Sequence, residues 1–80
     1  MNAVRETVAL VLGLDISDVS ASTSPETAPA WDSVRFVELV FALEDRLGFQ
    51  FTFDEIARMR SVADIERALE IRSKEEPTAT

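Results

Sequence analysis

Among the side chains of this 80-residue sequence that could do chemistry, Ser33 stands out by position rather than by type. It falls where a stretch rich in Ser, Thr, Ala and Pro (residues 20–29) gives way, after Trp31-Asp32, to the most regular amphipathic segment of the chain. A hydroxyl at such a junction lies at a helix N-terminus, where backbone N–H groups without intrahelical acceptors and the positive end of the helix dipole favour negative charge. A phosphodiester formed on Ser33 would therefore sit in a suitable field. The same Asp-Ser pair also has a purely structural use, since either residue can cap the helix.

Composition removes most other chemistries. The sequence contains no Cys and no His, so it offers no disulfide and no thiolate metal site and lacks the commonest general base and zinc ligand, histidine. A serine-hydrolase arrangement would need a G-x-S-x-G turn and a histidine, and both are missing. Asp15 and Asp18 lack the alternating ligand series and the Gly of a calcium loop, and no metal site is expected. Fifteen acidic against eight basic residues give a formal charge of −7, a field that repels nucleic acid and attracts basic protein surfaces. The longest strongly apolar stretch, Val8 to Leu14, falls well short of the ~20 residues of a membrane span, and no basic region precedes it. A cytoplasmic monomer is expected.

The elements that must position Ser33 follow from the hydrophobic pattern. Val4, Val8, Val11 and Leu12 form a helical stripe from Asn2, a candidate cap, to Gly13. From Leu14 to Trp31 no periodicity survives, and a long first loop is expected, pinned at the isolated apolar residues Ile16 and Val19. Connections this long in so small a domain tend to be functional or disordered. Ser33 to Leu47 is the strongest helix, with a core stripe of Phe36, Leu39, Val40, Leu43 and Leu47, and Gly48 ends it. Thr52-x-x-Glu55 has the form of a capping box opening a short helix through Ile56 and Met59. Ser61 starts the last helix, whose stripe is Val62, Ile65, Leu69 and Ile71. Phe49, Phe51, Ile56 and Met59 should close the core, and Trp31 should anchor the loop. The expected fold is an all-α four-helix bundle, three main helices and one short one, with residues 1–72 forming the domain and 73–80 a flexible polar tail.

With those elements in place, Trp31-Asp32-Ser33-Val34, followed by Val37-Glu38-Leu39-Val40, Ala42-Leu43-Glu44 and Gly48-Phe49-Gln50-Phe51, resembles the acyl carrier protein family. The resemblance runs from about Val4 to Ile71 and includes the loop length and the start of the last helix at Ser61-Val62-Ala63-Asp64-Ile65. It implies that Ser33 is the attachment point of 4′-phosphopantetheine, donated from coenzyme A by a separate phosphopantetheinyl transferase. Asp32 then matches the family's acidic neighbour, associated with metal and coenzyme A binding during that transfer. Such a chain is not an enzyme: the thiol arrives with the prosthetic arm, which fits a sequence without Cys or His. It would carry acyl, aminoacyl or hydroxyacyl thioesters to loading and processing enzymes acting in trans. The Met1 start and the polar C-terminus favour a discrete carrier over an excised synthase domain.

In this family the helix after the serine is the recognition surface. Val34, Val37 and Phe41 lie off the core stripe and, with Glu38, Glu44 and Asp45, would form an apolar strip rimmed by acid. Widening of the core face is the structural alternative for Val37 and Phe41. Arg35 departs from the acidic residue that many fatty-acid carriers have there, and with Trp31 it points to a specialised pathway. The competing functional reading is an unmodified helical docking module that keeps the carrier fold, and Ser33 discriminates between the two.

Overall fold

The computed structural model describes residues 3–75. The chain is all-helical over these residues: α1 (Ala3–Leu12), α2 (Ser33–Leu47), α3 (Phe53–Ala57) and α4 (Val62–Glu75), with a single 3-10 turn at Ile16–Asp18. The expected cap Asn2 lies outside the described residues. Helix α1 packs mainly on α2 and also on α4, burying Val4, Val8 and Leu12 against Leu39, Val40, Leu43, Val62 and Ile65. Each of these side chains contributes roughly 1.5–3 kcal/mol by leaving water. Phe51 and Met59 close the core, and Val11, Phe36, Leu47, Phe49, Ile56 and Leu69 pack half-buried around it.

Local chemistry sets the boundaries of the helix that follows the candidate serine. The Asp32 carboxylate accepts the Arg35 N–H at 2.9 Å and starts α2, and Gly48 ends it in the left-handed conformation (φ 81°) that only glycine adopts without strain. The capping box of α3 is complete, the Thr52 hydroxyl accepting from Glu55 N and the Glu55 carboxylate from Thr52 N.

Charged side chains tie the helices together at the periphery. Arg5 of α1 pairs with Glu66 of α4 at 2.9 Å, and Arg46 of α2 with Glu6 of α1 at 2.6 Å. Arg72 of α4 makes two hydrogen bonds to the Glu55 carboxylate, donates to the Gln50 carbonyl, and stacks 4.1 Å over the Phe49 ring. The Arg72 guanidinium holds the Glu55 carboxyl below the usual carboxylate range, against the opposing effect of burial, with help from the Thr52 amide.

The long loop and α4 differ in detail from the expected reading. Ile16 is not an anchor of the long loop: it is 52% exposed, and the loop is held by buried Val19, Thr23, Ala28 and Trp31. The loop is a succession of hydrogen-bonded turns rather than an irregular connection. Ile71 stands at the exposed end of the α4 stripe. Helix α4 continues past residue 72 to Glu75, and positions 76–80 of the expected tail lie outside the described residues.

Candidate functional site

Ser33 is the first residue of α2 and is exposed. Whether Asp32 or Ser33 caps the helix has a definite answer, because the Asp32 side chain takes the Arg35 amide and its carbonyl takes the Phe36 amide at 2.9 Å. The Ser33 hydroxyl is thereby released from capping, and no hydrogen bond to another described residue engages it. The amides of Ser33 and Val34 likewise have no acceptor among the described residues. They belong to the set of first-turn donors that face solvent or an anion. No acidic side chain follows Asp32 in the first turn, so the positive end of the α2 dipole is offset only by the cap.

Beside the hydroxyl lies a shallow recess of about 280 Å³ walled by Pro25, Trp31, Phe36 and Met59. Its walls come from the loop, from α2 and from the α3–α4 connection, so all three must be in place for the recess to exist. Trp31 is 3% exposed and acts as the anchor expected of it.

The next two turns of α2 carry the candidate docking face. Val34, Val37 and Phe41 are 63%, 51% and 65% exposed, so they do not widen the core. Glu38 and Asp45 are exposed on the same helix. Two of the charged residues behave otherwise than expected. Glu44 is half-buried and its carboxylate accepts the Phe51 N–H at 2.9 Å, which commits it to holding the 48–52 connection. Arg35 does not present a bare cation, because its guanidinium pairs with Glu38 at 3.0 Å and offsets part of the acid of this face. Sequence reasoning passed over Phe53, which is 91% exposed at the start of α3, and over Thr23, buried within the loop. The signal for Thr23 is the repeated spacing Ser20-x-x-Thr23 and Ser24-x-x-Thr27, in which each threonine hydroxyl accepts the amide three residues before it.

A family model described as phosphopantetheine attachment site matches residues 2–69. The chain belongs to this family. It is a carrier protein whose cofactor is covalently attached 4′-phosphopantetheine. The fold agrees: the solved structure of a proposed acyl carrier protein from Mycobacterium tuberculosis superposes with a TM-score of 0.74. That likeness covers 86% of this chain and 92% of the other at 20% sequence identity. No curated protein matches the sequence. Carrier proteins of this family are generally non-catalytic and work with partner enzymes. Among the described residues no helix is long and apolar enough to cross a membrane, and no cluster of His, Cys, Asp or Glu could hold a metal ion.

Proposed function

We propose that Ser33 Oγ is the phosphopantetheine attachment point and that the loaded carrier presents acyl, aminoacyl or hydroxyacyl thioesters to separate enzymes. One observation carries this reading: Asp32 does the capping, leaving the Ser33 hydroxyl exposed and unengaged at a helix terminus that has spare amide donors. The first-turn amides of Ser33 and Val34 suit the oxygens of a phosphodiester, and the recess of Pro25, Trp31, Phe36 and Met59 suits the apolar first part of the arm. When bound, the group supplies the thiol that this Cys-free chain lacks. Ser33 contributes its hydroxyl oxygen to the new O–P bond, while the pyrophosphate bond of coenzyme A breaks and adenosine 3′,5′-bisphosphate leaves. Its proton leaves to a base of the phosphopantetheinyl transferase, since this chain has no His of its own. Asp32, one residue before, supports the transfer by its negative charge.

The partner face in this reading is Val34, Val37 and Phe41, rimmed by Glu38 and Asp45, and it docks on basic surfaces of the transferase and of loading and processing enzymes. Arg35 masks Glu38 and so selects among those partners. A thiol titration tests the attachment directly. The apo-protein contains no Cys, so it should titrate as thiol-free, and incubation with coenzyme A and a broad-specificity transferase should add one thiol per chain. A chain that stays thiol-free under conditions that modify another carrier would instead support an unmodified docking module.

A further inference from the structure

The loop before Ser33 also docks on the N-terminus of α4, which begins at Val62. The first four amides of α4, like those of any helix, lack intrahelical acceptors, yet the donors around its start are accounted for one by one. Val62 N donates to the Thr23 carbonyl and Ala63 N to the Ala21 carbonyl, both at 2.9 Å. Asp64 N donates to Ser61 Oγ at 3.1 Å and Ile65 N to the Ser61 carbonyl at 3.2 Å. Two of the four acceptors thus come from the loop, which caps α4 with its backbone.

From that junction a succession of short hydrogen-bonded turns, consecutive along the chain, leads to Asp32, the residue before the attachment serine. Thr23 is buried, its hydroxyl accepts Ser20 N at 2.9 Å, and its own amide donates to the Ser20 carbonyl. The Ser24 carbonyl accepts from both Thr27 and Ala28, the Ala28 carbonyl from Trp31, and the Ala30 carbonyl from Asp32. Asp32 then caps α2 through Arg35. Buried Ala28 and Trp31 fix the middle of this path to the core.

We infer that residues 20–32 form a strut that fixes Ser33 relative to α4, with Thr23 the positioning residue at its far end. The inference rests on the reading of Ser33 as the attachment point. Thr23 makes its hydrogen bonds to Ser20 and Val62 and none to Ser33. It acts by holding the two carbonyls on α4 and the first turn of the strut in register. Loosening that end leaves the chemistry at Ser33 unchanged but lowers the fraction of molecules in which the serine and Trp31 are correctly presented. A transferase that needs that presentation then sees a weaker substrate, by the fraction that remains competent.

The test uses the full chain as wild type, Thr23→Val and Thr23→Ser. Valine keeps the shape and removes the hydroxyl, and serine keeps the hydroxyl. The first readout is amide exchange at Val62 and Ala63. First-turn helix amides are ordinarily unprotected, so slow exchange there in the wild type reports the docked loop. Thr23→Val should accelerate it by about five- to tenfold, the factor that corresponds to losing one ordinary hydrogen bond, and Thr23→Ser should restore it. The second readout is phosphopantetheine transfer from coenzyme A: Thr23→Val should raise the KM for the carrier by the factor by which the docked fraction, read from the same exchange data, falls, and leave kcat unaltered. Fast exchange at Val62 and Ala63 in the wild type would overturn the strut. So would a Thr23→Val chain whose docked fraction falls measurably while its KM does not rise, which would make Thr23 a stabilising residue only. If Ser33→Ala still accepts the arm, the attachment assignment fails while the exchange result stands by itself.

Discussion

Asp32 caps α2 and, in the proposed function, is also the anionic neighbour of the serine that takes the arm, and substitution separates the two roles. Its carboxylate accepts one backbone amide at 2.9 Å and is exposed, so removing the side chain opens no cavity. Loss of an aspartate cap costs about 0.5–2 kcal/mol, and loss of its charge from the helix N-terminus a further 0.3–1 kcal/mol or so. Asp32→Ala should therefore destabilise the domain by about 1–3 kcal/mol, lowering Tm by roughly 4–8 °C per kcal/mol for a chain of this size. A small domain survives that loss, because total stabilities run from about 5 kcal/mol upwards. Asparagine caps about as well as aspartate, so Asp32→Asn should lose only the charge contribution, well under about 1 kcal/mol. Transfer should behave differently. If the negative charge assists the transferase, Asp32→Asn and Asp32→Ala both lose kcat/KM, by roughly ten- to hundredfold if the contact is worth about as much as a charged hydrogen bond. Thermal melts followed by circular dichroism, with steady-state transfer assays on the same three proteins, supply both numbers. An Asp32→Ala melt indistinguishable from wild type would refute the cap. Wild-type transfer to Asp32→Asn would refute the charge role and reduce Asp32 to a structural residue.

Three further outcomes follow from the docking face and the periphery. Phe41→Ala, at a site 65% exposed, should change stability by less than about 0.5 kcal/mol. The same change should weaken association with a loading enzyme by more than about 1 kcal/mol, and association of the wild type should slow as salt rises; surface plasmon resonance that is blind to both changes would remove this face from the interface. Arg35→Asp breaks an exposed 3.0 Å pair with Glu38 worth about 0.3–0.5 kcal/mol. It should leave the melt nearly unaltered while improving use by fatty-acid synthase enzymes and impairing use by the native partners, and unchanged rates with both sets would make Arg35 an idle charge. Glu55 has a folded pKa held down mainly by Arg72, so its contribution is full above the unfolded value of about 4.3 and fades as pH falls below it towards the folded one. Glu55→Gln should flatten that acid limb of the stability curve, measured at low protein concentration because the sequence pI is about 4.4; an equally steep limb in the variant would contradict the assignment.

What the sequence made legible was local. Both ends of α2 were readable because Asp32 and Gly48 act within one turn of their own positions, and Thr52 and Glu55 announced α3 for the same reason. The stripe of Leu39, Val40 and Leu43 showed which face is buried, and by exclusion it left Val34, Val37 and Phe41 outside. What stayed hidden was non-local. No pattern reveals that Ala21 and Thr23 supply acceptors to Val62 and Ala63, that Glu44 holds the Phe51 amide, or that Arg72 closes on Glu55, Gln50 and Phe49. The misreading of Ile16 has the same origin, since an apolar residue in an aperiodic segment carries no sign of the side it faces. For the site, residue type and position led to Ser33, but only the Asp32–Arg35 bond shows that the serine is left unengaged.

The central claim is that one serine, Ser33, receives the arm. Intact-mass analysis of wild type and Ser33→Ala after incubation with coenzyme A and a broad-specificity phosphopantetheinyl transferase tests it most directly. A single phosphopantetheine increment is expected on the wild type, mapping to Ser33 within the tryptic peptide Glu6–Arg35, and none on Ser33→Ala in a chain whose circular dichroism is unchanged. An increment that persists in Ser33→Ala would contradict it.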